Sequence, residues 1–142
     1  MGKLIQRLQD PAASGAYRAG RIDPITDAVR GSTLSFARIS LSNVKEKAAL
    51  LRAIAAALAF PEGFGENWDA LEDCLTDLSW CQGQGYVLVF EGFQFLPAGE
   101  LGELIDVLIT AAEFWAQRRE PFFAVFIDPE RVLALADLFR EP

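Results

Sequence analysis

Two short and continuously apolar runs constrain the fold of this chain most. They are YVLVF (residues 86–90) and FFAVFI (122–127), and a long amphipathic stretch with helical spacing lies between them. Runs of this kind are typical of strands that are covered on both faces of a parallel sheet. A helix between two such strands is the usual right-handed crossover. The pattern therefore predicts an α/β fold around a parallel sheet.

Local signals place further elements before and between these strands. TLSFARISL (33–41) is predicted to be a strand, with Leu34 and Phe36 on one face. Asn43 followed by Glu46 matches a capping box and predicts the start of a helix. The apolar stripe of that helix consists of Leu50, Leu51, Ile54 and Leu58.

Weaker signals lie at the two ends of the chain. Residues 1–32 contain a short amphipathic piece, a possible strand around residues 16–18 and a helical turn after Asp23-Pro24. Asp128-Pro129 is predicted to cap and open a last helix. With 142 residues, 51% of them hydrophobic, the chain is expected to form one compact domain.

Composition excludes several classes of function. The chain has no histidine, which removes the commonest general base, the usual catalytic triads and most transition-metal sites. Cys74 and Cys81 are too few for a disulfide framework and are expected to be free thiols. No apolar run reaches the roughly 20 residues of a membrane span, and none resembles a signal peptide. We expect a cytoplasmic protein without a membrane contact, a cofactor or a metal.

Negative charge is concentrated in the middle of the sequence. The net charge of −7 disfavours direct binding to nucleic acid, whose phosphates select basic surfaces. Between Arg52 and Arg118 there are eleven acidic residues and no basic one, so that the rest of the chain has a net charge of +4. This asymmetry indicates a surface for a basic partner.

The densest acidic stretch is FPEGFGENWDALEDCLTDLSW (60–80), where Asn67 is predicted to cap a second helix. The buried face of this helix is predicted to contain Trp68, Leu71, Leu75 and Leu78. Four carboxylates, which we call the acidic row, step along another side: Glu66, Asp69, Asp73 and Asp77. Like charges at i and i+4 cost about 0.2–0.5 kcal/mol per pair, and no basic residue of this helix offsets them. Stability alone therefore does not explain the acidic row, which indicates a function.

Four interpretations of the acidic row remain open. It could be an ordinary solvated face of a helix. Paired carboxylates could act as acid and base, although this needs a cleft, or could hold Mg²⁺, although no phosphate-binding residue accompanies them. A negative patch that docks on a basic protein cleft needs nothing further.

The last interpretation coincides with a resemblance. Pro61-Glu62, Gly65-Glu66-Asn67, Asp69-Ala70-Leu71 and Asp73-Cys74-Leu75-Thr76 resemble the signature of the barstar family of intracellular ribonuclease inhibitors. VLVFEGFQF (87–95) is similar to the second strand of the family and its exit. The resemblance covers roughly residues 33–127.

The resemblance implies a fold and a mode of action. The expected fold is a small three-stranded parallel sheet packed by helices in residues 33–142, with residues 1–32 as an extension that adds a strand or a helix. The expected function is inhibition, not catalysis: the acidic helix and the loop before it (61–80) plug the active site of a basic ribonuclease in a 1:1 complex, and the free protein is a monomer. The alternative is a non-catalytic acidic module for another basic protein.

The resemblance also implies which residues touch the partner. The contact positions of the family's best-known member correspond to Asn67, Asp69, Asp73, Thr76 and Asp77, to which Glu66, Glu72 and Phe64 are added here as neighbours. That member has a tyrosine at the position of Gly63 and a tryptophan at the position of Glu72, and this chain lacks both aromatic side chains. Phe64 is expected to replace part of the lost contact, because aromatic residues often anchor interfaces.

Overall fold

The structure is a computed structural model that describes residues 2–139 and has an α/β fold. The strands are β1 (Gly15–Ala19), β2 (Ser35–Ser40), β3 (Tyr86–Glu91), β4 (Phe122–Ile127) and β5 (Ala136–Asp137). The helices are α1 (Lys3–Leu8), α2 (Asp23–Val29), α3 (Lys47–Ala57), α4 (Trp68–Leu75) and α5 (Ala98–Gln117). Two 3₁₀ turns lie at Pro11–Ala13 and Phe93–Phe95.

The sheet has five strands, all parallel, in the order β2-β3-β4-β1-β5. The prediction of a three-stranded sheet is therefore wrong. The weak strand signal near residue 16 is β1, which pairs with β4 so that Gly15 lies opposite Phe123. The fifth strand, β5, pairs with the other side of β1. Local sequence signals could not reveal this order, because every neighbouring pair joins distant segments.

The segment after β4 is not the predicted last helix. The carboxylate of Asp128 is buried and accepts hydrogen bonds from the backbone N–H groups of Val132 (3.0 Å) and Leu133 (2.8 Å). Arg131 adopts the left-handed conformation with φ +57°. These contacts fold residues 128–133 into a loop that leads into β5, so Asp128 caps a turn rather than a helix.

The sheet separates two hydrophobic cores, which explains why residues 86–90 of β3 and all residues of β4 are apolar. Leu88 and Phe90 point to the first core, and Val87 and Val89 point to the second. Helices α3, α4 and α5 contribute to the first core, and α1 and α2 contribute to the second. In residues 2–139 no helix has both the length and the hydropathy to cross a membrane.

Helix α3 begins three residues later than the predicted capping box places it. Its N-cap is Glu46, which makes no side-chain cap bond, so the predicted start at Asn43 is wrong. Leu41 and Val44 are both buried, and the N–H of Val44 donates to the carbonyl of Leu41 over 3.0 Å. Residues 41–44 therefore form a turn after β2, and α3 begins only after this turn. The predicted stripe from Leu50 to Leu58 is buried.

Candidate protein-binding site on helix α4

The amino end of α4 is built by Asn67. Its Oδ1 accepts a hydrogen bond from the N–H of Ala70 over 2.8 Å, and its Nδ2 donates to the carbonyl of Gly65 over 3.2 Å. The predicted N-cap is thus confirmed. Asp69 lies in the first turn, where the helix dipole favours a negative charge. The cap therefore fixes both the start of α4 and the position of its first carboxylate.

The carboxyl end of α4 comes earlier than the apolar spacing predicts. The hydroxyl of Thr76 donates to the backbone carbonyls of Glu72 (2.8 Å) and Asp73 (3.3 Å), and the helix ends at Leu75. Leu78 then adopts the left-handed conformation with φ +49°. Asp77 therefore follows the helix, so the expectation of one helical row must be corrected.

The acidic row is split between α4 and the segments on each side. Glu66 precedes the helix with φ +51°, whereas Asp69 and Asp73 lie within it. All four carboxylates of the row are exposed, as are Asn67 and Glu72, and Thr76 is half-buried. Of the four residues predicted to be buried, Leu71, Leu75 and Leu78 are fully buried, and Trp68 is half-buried against the same core. Helix α4 therefore presents carboxylates outward from an apolar base.

One carboxylate of the row has a partner within the chain. Arg52 Nη1 of α3 lies 3.4 Å from Glu66 Oε1, and both side chains are about half exposed. Lys47, also on α3, places its Nζ 5.8 Å from the centre of the Trp68 ring. As expected, no basic residue lies within the acidic stretch of the sequence. In the folded protein, however, two basic residues of the neighbouring helix α3 lie beside it. The negative field is consequently stronger toward Asp73 and Asp77 than near Glu66.

The loop before α4 is anchored by aromatic side chains. Phe64 is half-buried and its ring packs edge-on against Phe60 at 5.0 Å, while Phe60 packs against Trp80 at 5.8 Å. The indole N–H of Trp80 donates to the carbonyl of Leu58 over 2.9 Å. Phe64 thus supports the loop and keeps part of its ring accessible.

Gly63, at the tip of this loop, has φ +91°, and a Cβ added there would meet no atom within 4 Å. A larger residue would therefore have space at this position, but it would adopt a strained backbone conformation. Glycine suits the loop because it adopts this conformation without strain.

Sequence reasoning missed the residue that closes the other end of α4. The indole N–H of Trp115, in α5, donates to the carbonyl of Leu75 over 2.7 Å. The ring of Trp115 also lies 5.0 Å from that of Tyr86 at the start of β3. The only available signal was a tryptophan near the end of an apolar helix, where its N–H needs an acceptor.

Both cysteines are free and half-buried, so the prediction of free thiols is confirmed. Burial raises the pKa of the Cys74 thiol, and the negative charges of Asp77 and Asp73 raise it further. Burial also raises the pKa of the Cys81 thiol. A raised pKa lowers the fraction of each thiol that is present as thiolate, which is the nucleophilic form. Within residues 2–139 no three acidic or cysteine side chains are grouped so that they could hold a metal ion.

The arrangement of exposed carboxylates on and around α4 is suited to electrostatic attraction. Carboxylates that are solvent-exposed and a helical turn apart produce an extended negative potential, which accelerates encounters with a cationic surface. Their support is rigid, because the apolar side of α4 is buried and both of its ends are bonded. These are the properties of a preformed docking surface.

Comparison with solved structures finds likeness at the level of the fold. The structure of the Aeropyrum pernix ORC2 protein in ADPNP and ADP complexes is similar with a TM-score of 0.51 and 14% sequence identity. The alignment covers 88% of this chain but 36% of the other, so the chain spans about a third of that protein. Comparison with curated protein sequences finds no significant match.

Comparison with family models agrees with the resemblance seen in the sequence. Residues 34–127 match the model described as Barstar (barnase inhibitor). The match begins just before β2, ends with β4 and includes the whole of α4.

Proposed function

Because the chain belongs to the barstar family, we propose that it inhibits a basic ribonuclease by inserting α4 and the preceding loop into the active site of that enzyme. The observation that carries the proposal is the set of exposed carboxylates on α4 (Asp69 and Asp73) and beside its two ends (Glu66 and Asp77), supported by a helix whose apolar side is buried. The protein acts stoichiometrically in a 1:1 complex, has no catalytic activity of its own and needs no cofactor.

Charge complementarity explains how such a complex would form. A ribonuclease binds the phosphates of its substrate with cationic side chains, and carboxylates of α4 compete for the same groups. Asp69, Asp73 and Asp77 are free of ion pairs in the part of the chain that the structure describes, so they are available to new partners. Because the surface is preformed, little conformational entropy is lost on binding.

A cationic side chain of the enzyme would be desolvated between α4 and the active-site wall. Removing its carboxylate partner then costs about 2–5 kcal/mol or more, because the buried cation is left unpaired. This corresponds to a loss of affinity between roughly thirtyfold and several thousandfold. Phe64, Asn67, Glu72 and Thr76 would contact the enzyme around this charged centre.

Inhibition assays with a panel of basic ribonucleases test the proposal. Against its target, the wild-type chain should reduce ribonuclease activity linearly with the amount added, and inhibition should be complete at one equivalent of inhibitor per enzyme. Asp73→Ala should raise the inhibition constant at least thirtyfold. Glu103→Ala is the matched control, because Glu103 is an exposed acid on α5 twelve residues before Trp115. Equal inhibition by the two variants would rule out α4 as the binding surface.

A second candidate is an acidic module for a basic protein that is not a ribonuclease. The specific observation in its favour is Glu72, which is an exposed carboxylate where the family's best-known member has an aromatic contact. Affinity capture from a cell lysate with the wild type and Asp73→Ala, followed by mass spectrometry, separates the two candidates. A partner that depends on Asp73 but lacks ribonuclease activity would favour the second.

A further inference from the structure

A small cavity lies at the edge of the sheet where parallel strands β1, β4 and β5 end. Its volume is about 220 Å³, and its polar lining residues are Arg18, Asp128, Arg131 and Asp137. Parallel α/β sheets commonly bind ligands outside the carboxyl ends of their strands. The cavity shares no residue with the candidate site on α4, so an inference about it is independent of the proposed function.

Two guanidinium groups in this cavity share one carboxylate. Arg18 Nε donates to Asp137 Oδ1 over 2.8 Å, and Arg131 Nη2 donates to Asp137 Oδ2 over 3.0 Å. The Arg18 side chain is only 16% exposed and also donates from Nη1 to the carbonyl of Leu133 over 2.8 Å. The Arg131 side chain is 63% exposed. A largely buried arginine is thus held in place, and a more exposed one lies beside it.

The acceptors of the cavity are already occupied. Both oxygens of Asp128 accept backbone N–H groups, and both oxygens of Asp137 accept guanidinium N–H groups. The hydrogen bond from Arg18 lowers the pKa of Asp137, which keeps its carboxylate ionised. Among residues 2–139, the bonds described leave Nη2 of Arg18 and Nε and Nη1 of Arg131 as donors for a further acceptor. The cavity therefore keeps unused guanidinium donors, while Asp128 and Asp137 balance the formal charge of its two arginines.

We propose that this cavity binds the phosphate group of a small phosphate monoester, such as a nucleoside monophosphate. Arginine presents its donors in a planar fork that matches phosphate oxygens, and two arginines suit a dianion better than a single carboxylate. Because Arg18 is largely removed from water, its attraction to the phosphate is weakly screened. The half-buried ring of Phe139 lies at the wall of the cavity and can contact the organic part of the ligand.

Nuclear magnetic resonance of the ¹⁵N-labelled full chain tests the site directly. Inorganic phosphate and adenosine monophosphate, each compared with sodium chloride at equal ionic strength, should saturably shift the amide signals of Val132 and Leu133. Acetate serves as the carboxylate probe and should bind more weakly than phosphate. The absence of saturable shifts with either phosphate probe, or tighter binding of acetate, would overturn the assignment.

Variants establish that the arginines bind the probe. Arg131→Gln should weaken phosphate binding at least about tenfold, and Arg18→Lys should also weaken it, because lysine keeps the charge but loses the fork. Arg30→Gln is the matched control, since Arg30 is an exposed arginine just after α2 that pairs with Asp27. The spectra of all variants show whether the fold is intact. If Arg131→Gln and Arg30→Gln bind phosphate with equal affinity, the proposal is wrong.

Discussion

The indole N–H of Trp115 and the backbone carbonyl of Leu75 form a hydrogen bond of 2.7 Å that joins the long helix α5 to the end of α4. The last carbonyls of a helix have no partner within it, so this bond satisfies a group that would otherwise need water. The position of the acidic helix therefore depends on a residue forty positions later in the sequence.

Trp115→Phe is expected to destabilise the protein by about 1–3 kcal/mol, because the Leu75 carbonyl loses its partner while most of the apolar contact remains. Urea unfolding measures this change, and hydrogen exchange of the last-turn amides of α4 locates it. Trp80→Phe is the control, since it removes a comparable bond to Leu58. The hypothesis fails if both variants accelerate exchange in α4 equally.

Asp73→Ala is expected to leave the free energy of unfolding unchanged or to raise it by up to about 1 kcal/mol. The change removes the repulsion with Asp69, places alanine in a helix and removes a negative charge from the half of α4 whose dipole favours cations. Thermal unfolding of the isolated protein provides the measurement. Strong destabilisation would show that Asp73 has a structural role instead.

Arg52→Gln is expected to change stability by less than about 1 kcal/mol, because the ion pair with Glu66 is exposed. The variant should also associate about twofold faster with a basic partner at low salt, because Glu66 is no longer neutralised. Stopped-flow association rates give the comparison. Arg30→Gln, which breaks an exposed pair in α2, should have no effect on the rate.

Salt should act mainly on the association rate of the complex. Raising the ionic strength from about 0.05 M to about 0.5 M should slow association at least tenfold, while dissociation changes less. Surface plasmon resonance at several salt concentrations separates the two rates. An association rate that is independent of salt would contradict electrostatic docking.

Alkylation of Cys74 should respond to its acidic neighbours. The charges of Asp77 and Asp73 raise the pKa of this thiol, so Asp77→Asn should lower that pKa and increase the thiolate fraction at pH 8. Iodoacetamide should then modify Cys74 faster, and the difference should disappear at high pH, where both proteins are fully ionised. Cys81, whose pKa is raised by burial, is an internal control measured by the same peptide mass spectrometry.

Sequence patterns predicted the elements that depend on local signals. The apolar runs of β3 and β4, the Asn67 cap and the buried side of α4 are each determined by neighbouring residues, and the structure confirms them. The family itself was also identified correctly from the α4 stretch.

The errors arose where distant contacts override local preference. Asp128-Pro129 predicts the start of a helix. Instead, the side chain of Asp128 accepts hydrogen bonds within a loop, and the strand after this loop, β5, pairs with β1. The predicted helix after Asn67 was too long, because the chain leaves the helix after Leu75 and Leu78 adopts the left-handed conformation. The pair between Arg52 and Glu66 depends on how α3 packs beside α4, which residue spacing does not reveal.

The pairing of Gly15 with Phe123 has a consequence for folding during synthesis on the ribosome. A ribosome that adds about 5–20 residues per second needs roughly 5–20 seconds to make the segment between these two positions. During that time β1 has been synthesised, but its neighbour β4 has not. The nascent chain therefore carries an unmatched strand while the residues between β1 and β4 are added, and chaperones that shield such segments should influence its yield more than they influence its final stability.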